Sequence, residues 1–248
     1  MKTFKSTIIG VGYFLLIAVP ASAGMIDSQA IDRLNTNDMH VLDSSVTLMQ
    51  DIELLVFQVR VRGSAGRTIP NMRGQLDGAP VLGYVFPTTL KSVDIGYNDV
   101  KGIVALAVTA HPDFDDTPLW DEDNDRDPKN DGVVFHSHWV VLVEDARVPG
   151  GLSVRSLDAS DPTVRTPTTH PDMPIYLDSP GFSVVLKQDT LKVLVPAQRI
   201  NFKTSFKFDV VSAYMQVNTS KAGPMLGVYR VYQVQSGDLG LPYQVRTD

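Results

Sequence analysis

VVFHSHWVVLVE, residues Val133 to Glu144, is the stretch on which the reading of the fold turns. A strand sends alternate side chains to opposite faces. His136 and His138 therefore share a face with Val134, Val140 and Leu142, while Phe135, Ser137, Trp139, Val141 and Val143 take the other. Apart from the two imidazoles both faces are apolar, and a strand of that kind is covered on both sides. Side chains at i and i+2 start roughly 6.5–7 Å apart, close enough for both rings to bend onto one ion. Buried without partners they would be costly. The pair therefore calls for a metal ion (zinc, copper or iron) or for carbonyls and carboxylates that satisfy it.

Working outward, Ile103 to Thr109 (IVALAVT) is a second apolar run. If it pairs antiparallel with the first, their connection is more than twenty residues long, and loops of that length are usually functional or disordered. His111 leaves one strand where the other enters, at the end that carries His136. Three histidines with an open fourth position have the shape of a catalytic metal site, in which a loop carboxylate such as Asp113 or Asp115 would be the base. His170 enters the reckoning only through an echo, Thr168-Thr169-His170-Pro171-Asp172 against Thr109-Ala110-His111-Pro112-Asp113.

The connection is strongly acidic. The chain has 28 acids and 22 bases, and nine of those acids with only two bases lie between His111 and Asp131. That segment carries −7 of a total of −6, so the acidity is local. Asp121, Asp123, Asp125 and Asp127 alternate, and Asp131 follows. Crowded carboxylates repel until a hard cation with six to eight oxygen ligands reverses the balance. The stretch resembles the D-x-D-x-D calcium loops of EF-hands and related extracellular repeats, over about a dozen residues. That resemblance implies calcium held by the five aspartates. The pattern departs at Arg126, where such loops have a glycine, and at Gly132, where they have a glutamate, with Asp131 one position early. No flanking helices are expected.

Further strands are expected at 52–62, 81–86, 152–157, 182–187, 191–195, 205–217 and 225–234, separated by Pro and Gly turns such as Pro149-Gly150-Gly151. One short helix fits Ser28 to Leu34. The expectation is an all-β fold, an antiparallel β-sandwich or open barrel of about nine or ten strands, with Asp158 to Pro174 as a second long loop.

The chain opens MKTFKSTIIGVGYFLLIAVPASAG. Lys2 and Lys5, the apolar run Ile8 to Val19 and the small residues Ala21-Ser22-Ala23 form a secretory signal pattern, residues 1–23. Residues 24–248 then form a single all-β domain, periplasmic or secreted. No later stretch reaches the roughly 20 apolar residues of a membrane helix. Cysteine is absent, so thiolate ligands and disulfides are excluded. No basic stripe exists to neutralise phosphates, so nucleic acid is not an expected partner. The motifs H-E-x-x-H, G-x-S-x-G and S-x-x-K are missing. Three functional readings stand: a metal-ion-binding β protein with calcium in the loop and a transition metal beside it, a metal-dependent hydrolase using the histidines, and a calcium-stiffened carbohydrate- or ligand-binding module.

Overall fold

The computed structural model describes residues 28–248; the expected signal segment 1–23 and its expected junction with Gly24 lie outside the described residues. Helix α1 (Ser28–Arg33) is followed by fourteen strands: β1 (Val41–Met49), β2 (Leu54–Val61), β3 (Pro80–Pro87), β4 (Ile103–Ala110), β5 (His136–Glu144), β6 (Leu152–Val154), β7 (Leu177–Asp178), β8 (Val184–Lys187), β9 (Thr190–Pro196), β10 (Lys207–Phe208), β11 (Val211–Val217), β12 (Leu226–Val234), β13 (Tyr243–Gln244) and β14 (Arg246–Thr247). Ten of them are three residues or longer. The fold is all-β.

β4, β3, β11, β12, β6 and β5 are neighbours in that order, and β5 pairs back onto β4. The six strands therefore close into an antiparallel barrel, whose β12–β6 seam is joined at one residue pair, Gly227 and Ser153. β7 adds to β5 beside β6. A second sheet, β14-β1-β2-β9-β8, lies against one side of the barrel, and β10 and β13 form a separate pair.

Strand parity sorts the side chains into two cores. Leu82, Tyr84, Phe86, Leu106, Val108, Trp139 and Val141 leave the barrel wall outward and pack with Phe57, Val59, Leu191 and Val193 of the second sheet. Val81, Val85, Ala105, Ala107, Val140, Leu142, Ala213 and Met215 point the other way, into the barrel. Phe57 joins the layers. Its ring meets Phe86 and Trp139 edge-on, with centroids 5.5 and 6.2 Å away, and stacks on Phe206 at 5.9 Å. Trp139 is anchored on one face of β5, so His138 and Val140 must occupy the face that looks into the barrel.

The strands depart from expectation in detail, and β5 itself begins only at His136, after a helical turn at Asp131–Val133. β1 went unread because Asp43-Ser44-Ser45 interrupts its alternation; the strand forms because β2 pairs along almost its whole length, across a bulge between Val41 and Asp43. The run 205–217 is two strands, β10 and β11. Asp209 between them is fully buried, and its carboxylate accepts the Val210 and Ser236 N–H groups, which turns the chain from one pairing to the next. The run 152–157 shortens to β6. Helix α1 is the expected short helix, with Ile31 buried. Among the described residues no helix is long and apolar enough to cross a membrane.

If Phe57 is the link between the layers, Phe57→Ala should cost about 3–5 kcal/mol. At about 2–4 °C per kcal/mol for a chain of this size, melting should fall on the order of 10 °C. A change below about 1 kcal/mol would mean that the layers are held together elsewhere.

Candidate metal centre

The expected antiparallel pairing of β4 with β5 is present. Thr109 lies opposite His136 and Ala107 opposite His138. The two strands enter and leave a long connection whose base is closed by the His111 N–H donating to Gly132 O at 2.6 Å. Gly132 is required there by close approach. A Cβ on it would stand 2.2 Å from Phe114 O and 2.4 Å from His111 O. Gly132, one of the two residues that depart from the calcium-loop pattern, is thus the one against which His111 is seated.

His111, His136 and His138 converge, and all are at least 98% buried. The His111 and His136 Nε2 atoms are 2.9 Å apart. Asp116 Oδ1 lies 3.1 Å from each of them and 3.5 Å from His138 Nε2. One ligand atom from each of the four residues fits within a 4.8 Å cluster. A tetrahedral ion with bonds of roughly 2.0–2.1 Å would hold its donors roughly 3.3 Å apart, so these separations bracket what such an ion needs.

The other ring nitrogens are committed elsewhere. His111 Nδ1–H donates to Phe114 O at 2.9 Å, and His136 Nδ1–H to Val134 O at 2.8 Å. His138 Nδ1–H donates to Ser179 Oγ at 3.1 Å, while the Ser179 hydroxyl donates to Asp116 O at 2.6 Å. These partners place each imidazole proton on Nδ1 and turn each Nε2 lone pair toward the centre, the second-shell arrangement of metal-bound histidines. Four acceptor atoms then face one another. A proton on His136 Nε2 relieves its contacts with His111 and Asp116. It leaves His111 Nε2 against Asp116 Oδ1, and His138 Nε2, buried and without a hydrogen-bond partner, untouched. A single cation satisfies all four.

The electrostatics set His136 and His138 apart: without a cation His136 is the ring that holds a second proton against Asp116, and a metal ion would take that proton's place. Burial alone would raise the Asp116 carboxyl, but the facing His111 and His138 rings hold it well below the usual carboxylate range. Burial lowers His136, yet its bond to Asp116 and that carboxylate's charge carry it above the ordinary histidine value. For His138 burial prevails over the Asp116 charge and pulls it down to about 3, leaving a neutral ring able to ligate.

A second group forms at the rim, where Asp121, Asp123 and Asp131 bring carboxylate oxygens together. Asp131 is fully buried, and its Oδ2 has no hydrogen-bond partner. Arg126 takes the left-handed turn, φ 78°, that glycine provides in calcium loops, and its N–H donates to Asp121 Oδ2 at 2.9 Å. Asp125 and Asp127 do not join this group. Asp125 accepts from Asp127 N and Asn130 Nδ2, and Asp127 accepts from Lys129 N, so their carboxylates cap local turns.

Three other candidate residues lie outside both groups. His170 stands apart, its Nε2–H donating to Ile175 O at 3.0 Å and its ring edge-on to Tyr97. Asp113 is taken up by the N–H groups of Arg73 and Gly74, and Asp115 by Thr117 and the Asp131 N–H. Neither is a free base. The fourth member of the centre, Asp116, was not singled out in the sequence. It sits among nine acids of similar appearance, and only its place five residues after His111 distinguishes it. Ser179, which orients both His138 and Asp116, carries no sequence signal.

No family model matches the chain, and neither a curated protein nor a solved structure matches it. The site itself defines the class: an all-β protein with a buried three-histidine, one-aspartate cluster able to hold a metal ion.

Adding a methyl at position 132 should displace His111. Gly132→Ala is expected to destabilise the protein by about 1–3 kcal/mol in urea unfolding and to move the His111 imidazole resonances in NMR spectra. Unchanged stability and resonances would contradict the seating described.

Proposed function

We propose that this chain is an exported metal-ion-binding protein of the periplasm or extracellular space. It holds one transition-metal ion at His111, Asp116, His136 and His138, and calcium at the rim through Asp121, Asp123 and Asp131. The observation that carries the reading is the convergence of three Nε2 atoms and one carboxylate oxygen whose outer nitrogens are all engaged. Imidazole with a single carboxylate suits zinc, copper or iron better than magnesium or calcium. Export rests on the signal pattern of residues 1–23, with residues 24–248 acting as one all-β domain.

Asp113 and Asp115, the two loop carboxylates named as examples of a base for the hydrolase reading, are engaged by backbone N–H groups, which leaves that reading without the bases it named. The carbohydrate-module reading loses its platform. Trp139 is buried between the layers, and Trp120 packs on Gly181 with its Nε1–H donating to Ser179 O.

Protein purified and loaded with zinc should retain one equivalent after dialysis. His136→Ala and His138→Ala should each abolish it. Loss of stability in these variants with zinc content unchanged would make the cluster a proton-bonded core device and overturn the metal reading.

Calcium is tested separately. A ligand that binds only the folded state at a hundredfold excess over Kd adds about 2.7 kcal/mol. The melting temperature should therefore rise by several degrees in calcium relative to chelator at matched ionic strength, in the wild type and in His138→Ala alike. Superimposable melting curves would remove calcium.

A further inference from the structure

The inside of the barrel is not filled by its side chains. It encloses a cavity of about 290 Å³ whose walls are apolar, among them Val85, Val140, Val154 and Met215. The polar groups in the lining gather at one end: Thr109, His111, Asp115, Asp116 and His138. Thr109 is 97% buried, and its Oγ1 has no hydrogen-bond partner in the protein. Its methyl lies over Gly83, where an added Cβ would stand 2.8 Å away, so the hydroxyl is the part left to the cavity. A buried hydroxyl without a partner is costly, and here it borders a space that a ligand oxygen could occupy. The lining reaches the surface at Leu76 and Ile103, which are 41% and 36% exposed. It also includes Leu239 and Leu241, both held at positive φ, 59° and 50°. Leucine rarely adopts that backbone, and such strain concentrates where a ligand is clamped.

We infer that the barrel binds a small single-chain amphiphile, its oxygen head at Thr109 and the metal-facing end, its hydrocarbon chain along the apolar walls. An apolar cavity of roughly 150 Å³ holds the six carbons of benzene, so about 290 Å³ accommodates roughly ten to twelve non-hydrogen atoms, the size of an eight-carbon carboxylic acid. The choice of a carboxylate head rests on the metal reading. Three neutral imidazoles and one aspartate around a divalent ion leave a net positive charge, which an anionic head complements. The apolar walls and the Thr109 donor do not depend on that reading.

The test is calorimetric titration of the zinc-loaded protein with sodium octanoate, with zinc content measured on the same samples. One equivalent should bind. Val85→Phe and Val154→Phe, two independent ways of filling the cavity away from the metal ligands, should weaken binding at least about tenfold with zinc content unchanged. Thr109→Val should weaken it by about tenfold, the effect of one hydrogen bond. Protein that holds its zinc and takes up no octanoate at millimolar concentration overturns the inference and leaves the metal reading standing. Equal binding by the wild type and both filled variants also overturns it. Protein that holds no zinc defeats the metal reading by its own readout. Octanoate binding in that protein, lost in the filled variants, still supports the cavity site, and its absence overturns it.

Discussion

Everything distinctive in this molecule follows from a shortage of protons at one point. Three imidazole Nε2 atoms and a carboxylate oxygen are held 2.9 to 3.5 Å apart in closest contacts, each with a lone pair facing the others. Carbonyls and a serine hydroxyl fix the protons on the far side of every ring. In a low-dielectric interior, facing acceptors of this kind are costly unless a cation lies between them. The fold must therefore supply enough rigidity to keep them there, or a cation that makes the rigidity unnecessary.

The barrel supplies much of the rigidity. β4 and β5 are paired along seven residues, and Trp139 locks the outer face of β5 against Phe57. That pairing fixes which way His136 and His138 point. The remaining ligands come from the connection between the same two strands, closed at its base by His111 and Gly132. A single pair of adjacent strands with its loop thus carries all four donors, and the other strands close the wall around them. The same closure creates the apolar interior on which the cluster looks out, so the candidate metal site and the cavity share one wall.

Much of this was legible in the sequence because it depends on parity. The alternation in Val133 to Glu144 put His136 and His138 on one face, and the two apolar runs flanking an acidic loop placed His111 beside them. Closure into a barrel was not legible. The β4–β5 pairing was expected, but the ring also needs a three-residue strand, β6, that meets β12 through a single residue pair, Ser153 and Gly227. Asp116 was hidden for a different reason. Charge counting treats nine acids alike, whereas the loop sorts them by what their backbone can reach. Asp113, Asp125 and Asp127 bind nearby N–H groups, Asp121, Asp123 and Asp131 gather at the rim, and Asp116 alone reaches the three histidines. Arg126 shows the reverse error. A residue that looked wrong for a calcium-type turn adopts the left-handed backbone all the same.

The central claim is that one ion sits among four named atoms, and its most direct test is anomalous diffraction from crystals of the zinc-loaded protein at energies bracketing the zinc edge. The account predicts a single strong peak inside the barrel mouth, bonded at roughly 2.0–2.2 Å to the Nε2 atoms of His111, His136 and His138 and to Asp116 Oδ1. A peak bound through the Nδ1 atoms, one confined to the surface aspartates, or no peak at the histidines in protein that has folded would contradict it.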